Sequence, residues 1–324
     1  MTPLCDLAGT RLKSRQDRSP AGLPAQDRGV WKPRAPAAPA ARVARLLGYT
    51  APVASPVDVD ARLTANHRLS DTYNILEIEA PSIARHTRPG QFVMVKRELG
   101  REPLLRRPFS VFEILRNAQG AVTGLSLLSK QVGAVTRDLF RVEPGERIRC
   151  LGPLGTPFSV VDPPAHAWMV AGGVGLAPFA TLAEALHANG VETTLFYGGR
   201  SSADLYRVPF FERLGVRVVL TTEDGTRGER GRVTAPLQRE LAAAGGRPVM
   251  VYACGPTPMM RAAAGLAASA GRPVQVSLEP VMGCGLGGCY SCVVRILDGG
   301  ARFVRACLEG PVFEGNRVSW ADLT

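Results

Sequence analysis

Histidine is scarce in this chain, with four residues in 324. None of His67, His86, His166 and His187 stands in a nucleophile–base or metal-ligand pattern, so the sequence offers little for acid–base catalysis. All four read as structural or surface residues. Long apolar runs are also missing. The longest stretch, AWMVAGGVGLAPFATLAEAL, is interrupted by Gly172, Gly173, Gly175 and Pro178. It reads as strand, loop and helix rather than a membrane span, so no membrane partner is expected. No basic region followed by an apolar core is found near the N-terminus, so no secretory signal is expected. A formal net charge of +11 invites a nucleic-acid reading, but no helix-turn-helix pattern supports it. More than half of that charge sits in the first 56 residues, with nine Lys and Arg against three Asp. Rich in Ala, Pro and Arg and poor in aromatics, residues 1–56 read as a disordered basic extension.

What the chain has is pattern, and the pattern changes twice. From Val57 to about 160, short alternating segments such as YNILEIEA, GQFVMVKR, RRPFSVFEIL and GLSLLSK are separated by turn signals. Such spacing predicts an antiparallel β-barrel. From 161 to 272, buried strands (HAWMVAGG, ETTLFYGG, VRVVLTTED, RPVMVYACG) alternate with helical segments. That alternation predicts a parallel-sheet α/β domain, with ligands at the carboxyl ends of its strands. Residues 273–324 follow neither period and read as a third, small domain organised by its cysteines.

The chain has seven cysteines. Cys5, Cys150 and Cys254 stand alone, and the overall density is too low for a secreted disulfide scaffold, which points to a reducing, cytoplasmic compartment. The other four, Cys284, Cys289, Cys292 and Cys307, follow the spacing Cys-x4-Cys-x2-Cys…Cys in GCGLGGCYSCVV and beyond. This is the plant-type [2Fe–2S] pattern. Gly283, Gly285, Gly287 and Gly288 would let the loop curl round a bulky cluster and aim N–H groups at its sulfurs. A zinc ribbon and simple buried cysteines are the alternatives; zinc sites usually pair two close ligand couples, which this spacing lacks.

Weaker signals lie upstream. RRPFS ends a predicted barrel strand and could offer an arginine to a phosphate. QVGAVTRDL opens a short helix whose first N–H groups would suit an anion. AGGVGLAP follows a buried strand and opens a helix, the context of a phosphate-cradling loop without the G-x-G-x-x-G fingerprint. ACGPTPMM ends a second strand. Each alone has a bland reading as a turn, a surface pair or a buried thiol.

Taken in order, RRPFS, GAVT, GPLG, GGVGLAP, YGGRS and CGPTPMM resemble the ferredoxin–NADP reductase superfamily. EPVMGCGLGGCYSCVV…CLEGPVF narrows the resemblance to electron-transfer subunits of class 1B dihydroorotate dehydrogenases. The resemblance covers about residues 57–315. It implies that Arg107, Pro108, Phe109, Ser110, Leu128, Ser129, Lys130, Val135 and Thr136 hold FAD. It implies that Gly172, Gly173, Gly175, Cys254, Gly255 and Pro256 contact NAD, and that Cys284, Cys289, Cys292 and Cys307 bind a [2Fe–2S] cluster. Val135 and Lys130 stand where such proteins commonly carry Gly and Arg, and a lysine lacks the planar fork for bidentate phosphate contact. The implied activity is an NAD-linked oxidoreductase of pyrimidine biosynthesis. It would work in a heterotetramer with an FMN-containing dihydroorotate dehydrogenase catalytic subunit. The alternative is the corresponding subunit of a sulfide dehydrogenase, a bifurcating ferredoxin–NADP oxidoreductase or a hydrogenase.

Overall fold

The computed structural model describes residues 55–97 and 104–323. The expected basic extension therefore lies outside the described residues, apart from Ser55 and Pro56.

Seven strands form the first sheet: β1 (Val57–Arg68), β2 (Tyr73–Glu79), β3 (Phe92–Arg97), β4 (Arg107–Ser110), β5 (Ile114–Arg116), β6 (Val122–Lys130) and β7 (Arg147–Leu154). They pair antiparallel in the order β4-β3-β7-β1-β2-β6-β5. Alternation drives the arrangement: in β1, Ala61 and Leu63 are buried while Arg62 and Thr64 are exposed. The sheet closes on itself just past β4. The Phe112 N–H donates to the Ser126 carbonyl (2.9 Å), and the Ser126 N–H donates to that of Glu113 (2.9 Å). Leu63, Leu76, Ile78, Val93, Leu125 and Ile148 fill the interior.

The second sheet contains β8 (His166–Gly172), β9 (Thr193–Gly199), β10 (Arg217–Thr222), β11 (Glu229–Arg230), β12 (Val249–Cys254) and β13 (Val274–Ser277). All six run parallel, in the order β11-β10-β9-β8-β12-β13. β12 is buried along its whole length, as a parallel strand covered on both faces must be. The chain leaves β8 toward β9 on one side and returns to β12 on the other. That reversal is a topological switch point, where crevices open beyond the strand ends. Helices Phe179–Ala188, Thr234–Ala243 and Thr257–Ser269 connect the strands where the sequence pattern placed them.

The last fifty residues are less separate than their sequence texture suggests. Val274–Ser277 is a sheet strand, and after the hairpin β14 (Val293–Leu297) and β15 (Ala301–Arg305) the chain returns as β16 (Val312–Glu314). β16 pairs antiparallel with β13 as the sheet's edge. A single core joins the parts: Met94 and Leu154 of the barrel, Val251 and Val276 of the parallel sheet, and Cys292, Val304 and Cys307 belong to one buried cluster.

Candidate functional site

Where β8 and β12 end side by side, the backbones come too close for side chains. A Cβ on Gly175 would lie 2.3 Å from the Cys254 carbonyl oxygen, and one on Gly255, whose φ is +144°, would lie 2.9 Å from the Gly172 nitrogen. The two glycine motifs thus form one structure, and above it opens a cavity of about 630 Å³. Gly172, Gly173, Gly255 and Pro256 line it, together with Gly198 and Gly199 at the end of β9. Gly175 and Cys254 lie beneath the floor. The Cys254 thiol is fully buried and donates toward Glu279 Oε1 at 3.8 Å. Burial, then the neighbouring carboxylate, pushes that thiol's pKa well up, so it stays protonated.

A second cavity, about 360 Å³, lies between the barrel and the parallel sheet. Arg107, Pro108, Phe109, Ser110, Leu128, Lys130, Val135 and Thr136 all line it. Both volumes fall in the usual range of ligand sites, about 300–1,000 Å³. Ser129 is different. Strand alternation turns its side chain away from the wall made by Leu128 and Lys130, and it is buried opposite Asn74 of β2. Arg106 is committed to Asp58, reaching both carboxylate oxygens at 2.8 Å. Arg107 bonds only the carbonyls of Leu105 (3.2 Å) and Arg106 (3.0 Å), with no carboxylate partner among the described residues. A guanidinium free of acidic partners in a cavity suits an anionic cofactor group. Thr136 shapes the loop rather than offering a free hydroxyl: its Oγ1 accepts the N–H groups of Val132 and Gly133, both at 2.9 Å. This leaves the opening N–H groups of helix Ala134–Arg141 without intrahelical acceptors beside the cavity.

The two cavities share a wall made of Lys130, Val174 and Glu279. Lys130 Nζ lies 3.6 Å from Asp204 and 4.7 Å from the centre of the Tyr73 ring. Tyr73 in turn donates to Asp204 at 3.1 Å. The lysine is therefore held between the barrel and the sheet, at the wall the two cavities share. Crowding by protein raises the Glu279 carboxyl pKa, an effect partly offset by the Cys254 thiol. Tyr73, Asp204 and Glu279 were not singled out from the sequence. Glu279 follows β13 and precedes the cysteine loop, but a lone acid there looks like any surface glutamate.

The cysteine loop borders the second cavity through Met282. Gly285 and Gly287 adopt φ of +74° and +78°, and a Cβ on Gly285 would meet Met94 Cγ at 2.6 Å. The loop thus packs onto barrel strand β3. Gly283 and Gly288 do not adopt positive φ; the third left-handed position of the loop is Tyr290, at φ 58°. The four sulfurs lie near enough to influence one another, Cys289 with Cys284, and Cys307 with Cys292 and Cys284. No three His, Cys, Asp or Glu side chains converge on one metal-sized point among the described residues. A zinc ion gathers its ligands round one point, whereas a two-iron cluster takes two at each iron. The Leu286 N–H already points at Cys284 Sγ (3.3 Å), and the Ser291 hydroxyl lies 3.1 Å from Cys289 Sγ. Donation by the Ser291 hydroxyl and N–H, then by Cys284, lowers the exposed Cys289 thiol to about 6. Burial, then Cys292, pushes the Cys307 thiol up to about 12. Deprotonation of all four by a bound cluster would remove that contrast.

Comparison with known proteins agrees with this geometry. The family model of the oxidoreductase NAD-binding domain matches residues 169–265. That of the iron–sulfur cluster binding domain of dihydroorotate dehydrogenase B matches residues 279–319. Among solved structures, an NADH-dependent reduced ferredoxin–NADP oxidoreductase is similar, with TM-score 0.71 and 28% identity over 82% of this chain and 91% of that one. A ferredoxin NADP+ reductase from Neisseria gonorrhoeae shares the fold, with TM-score 0.52 and 18% identity over 67% of this chain and 92% of that one. The electron transfer subunit of dihydroorotate dehydrogenase B (NAD(+)) from Geobacillus thermodenitrificans is 35% identical over 75% of this chain and 91% of its own length. The corresponding subunit from Desulforamulus reducens is 37% identical over 81% of this chain and 98% of its own length. With barrel, nucleotide sheet and cysteine segment all accounted for, the chain belongs to the family of dihydroorotate dehydrogenase B (NAD(+)) electron transfer subunits.

Proposed function

We propose that this chain carries electrons between NAD(H) and an FMN-bearing dihydroorotate dehydrogenase subunit in the cytoplasm, with a heterotetramer as the working assembly. The observation that carries the reading is adjacency. The nucleotide cavity and the barrel cavity share Lys130, Val174 and Glu279, and the cysteine loop borders the barrel cavity at Met282. When bound there, FAD supplies the conversion between the two-electron chemistry of nicotinamide and the one-electron chemistry of an iron–sulfur cluster.

The chain's own residues bind and orient. Arg107 and the opening N–H groups of helix Ala134–Arg141 would hold the flavin's anionic part. Gly172, Gly173, Gly255 and Pro256 would let nicotinamide nucleotide approach the strand ends without side-chain interference. Cys254, protonated and buried, fixes the floor by donating to Glu279. Cys284, Cys289, Cys292 and Cys307 would hold the cluster. On this reading the oxidation of dihydroorotate belongs to the partner.

The test uses the purified chain with and without the FMN-bearing subunit. Alone, it reduces a one-electron dye with NADH and leaves dihydroorotate untouched. With the partner, it gives dihydroorotate-dependent NAD+ reduction. Dihydroorotate oxidation by the chain alone would refute the reading.

A further inference from the structure

Several polar contacts that join the barrel to the parallel sheet pass through one carboxylate. Asp204 stands in the short helical turn Ser202–Asp204 that follows β9. Its Oδ1 accepts the Tyr73 hydroxyl at 3.1 Å and lies 3.6 Å from Lys130 Nζ, so barrel strands β2 and β6 both reach it. Its Oδ2 accepts the Arg200 N–H at 3.3 Å, which ties it back to the end of β9. The Tyr197 hydroxyl, from within β9, donates to the Asp204 carbonyl at 2.9 Å. The group also packs on the glycines of the nucleotide cavity. A Cβ on Gly199 would meet the Asp204 Cβ at 2.8 Å, and one on Gly173 would come within 3.5 Å of the Tyr73 hydroxyl. Asp204, Tyr73 and Lys130 all line that cavity, and Lys130 lines the barrel cavity as well. Burial, then the Asp204 carboxylate, raises the Tyr73 pKa, so the phenol stays a donor.

Two further contacts cross the same boundary. The Arg207 guanidinium pairs with Glu113 at 2.6 Å, and the Tyr206 hydroxyl donates to Ser70 Oγ at 2.9 Å. None of these four residues lines either cavity. They hold the barrel against the sheet, whereas Asp204 does so at the wall where a bound nucleotide has to meet a bound flavin. Transfer between two bound groups depends steeply on their mutual placement, and an error near 1 Å can cost up to about 100-fold in rate. We propose that Asp204 is a positioning residue for flavin reduction. Through Tyr73 and Lys130 it fixes the end of β9, and the nucleotide lying against it, relative to the barrel wall that carries the flavin. The assignment rests on the functional reading above and adds the residue that sets how the two cavities face each other.

The experiment follows reduction of bound FAD by NADH in the full, cofactor-loaded chain, by stopped flow. Asp204→Asn keeps the shape and removes the charge that holds Lys130. At saturating NADH its flavin should be reduced about tenfold more slowly. The half-saturating NADH concentration should change by less than about twofold, since placement rather than binding is lost. The long-wavelength absorbance of stacked nicotinamide and flavin rings should weaken, while flavin and iron content match the unmodified chain. Tyr73→Phe removes only the hydroxyl and should slow reduction about threefold, as loss of one hydrogen bond does. Glu113→Gln is the matched control: it removes a charge from the same boundary but away from the cavities, and should leave rate and absorbance unchanged. The proposal is wrong if Asp204→Asn and Tyr73→Phe both reduce flavin at the unmodified rate. It is equally wrong if Glu113→Gln slows reduction as much as Asp204→Asn, or if Asp204→Asn purifies with less FAD, because Asp204 would then support the fold or the cofactor alone. If NADH does not reduce the flavin of the unmodified chain at all, the functional reading fails and the assignment falls with it.

Discussion

Gly175→Ala probes the point where the two glycine motifs meet. The added Cβ would stand 2.3 Å from the Cys254 carbonyl oxygen and 2.5 Å from its carbonyl carbon. Both are backbone atoms, so no flexible side chain can give way. Reaching even 3.0 Å requires the end of β12 or the Gly173–Leu176 turn to move by about 0.7 Å. Overpacking of this kind costs about 1–3 kcal/mol. Each kcal/mol corresponds to about 2–4 °C in melting temperature for a protein approaching this size. The displaced atoms adjoin the cavity-lining residues Val174 and Gly255, and a misplacement near 1 Å can cost up to about 100-fold in rate. We expect lower stability together with a KM for NADH raised about tenfold or more in dye reduction. Gly265→Ala is the control. Gly265 is exposed in helix Thr257–Ser269, and an added Cβ meets nothing within 4 Å. The same change there should stabilise by about 0.5–1 kcal/mol and leave KM unchanged. If Gly175→Ala melts and binds NADH like the unmodified chain, the strand ends do not meet as described.

Three further outcomes are expected. Arg107→Ala should purify with less FAD while its far-ultraviolet spectrum stays unchanged, and full flavin occupancy would remove Arg107 from the cavity's anion site. Cys289→Ser should lose most of its iron and its cluster absorbance, since a hydroxyl replaces a thiolate; stoichiometric zinc in the anaerobically purified parent would overturn the two-iron assignment. Glu146 accepts the Glu143 N–H at 2.8 Å and pairs with Arg97, and these contacts lower its pKa. The stability it contributes is present above its unfolded value and is lost as pH falls through the folded one. Glu146→Gln should therefore narrow the stability difference between pH 7 and pH 3, and an unchanged acid-unfolding profile would count against the pair.

Much of the architecture was legible in the sequence because its signals are local. Buried runs such as RPVMVYAC could only be covered strands, and four cysteines in plant-type spacing could be read without knowing what surrounds them. RRPFS and GAVT also fell on one cavity wall. The remainder depends on contacts that no local period encodes. Lys130 and Asp204 are 74 positions apart, so nothing in LSK or SSADL announces their pairing. Ser129 was placed with its neighbours by motif, although strand alternation sends its side chain the other way. Tyr290 takes a conformation that the surrounding glycines advertised for themselves. The return of β16 to β13 follows a hairpin and a cysteine loop, and three residues of VFE carry no sign of it.

That return has a structural meaning beyond cofactor binding. Without β16, the outer side of β13 would present a row of unpaired backbone N–H and C=O groups along Gln275, Val276 and Ser277. Exposed edges of this kind recruit strands from other molecules. The segment that carries the cysteines is thus also the guard of the sheet's edge. A chain cut after β13 would lose more than its metal ligands: it would gain an open strand, Val274–Ser277, able to pair with its own copies.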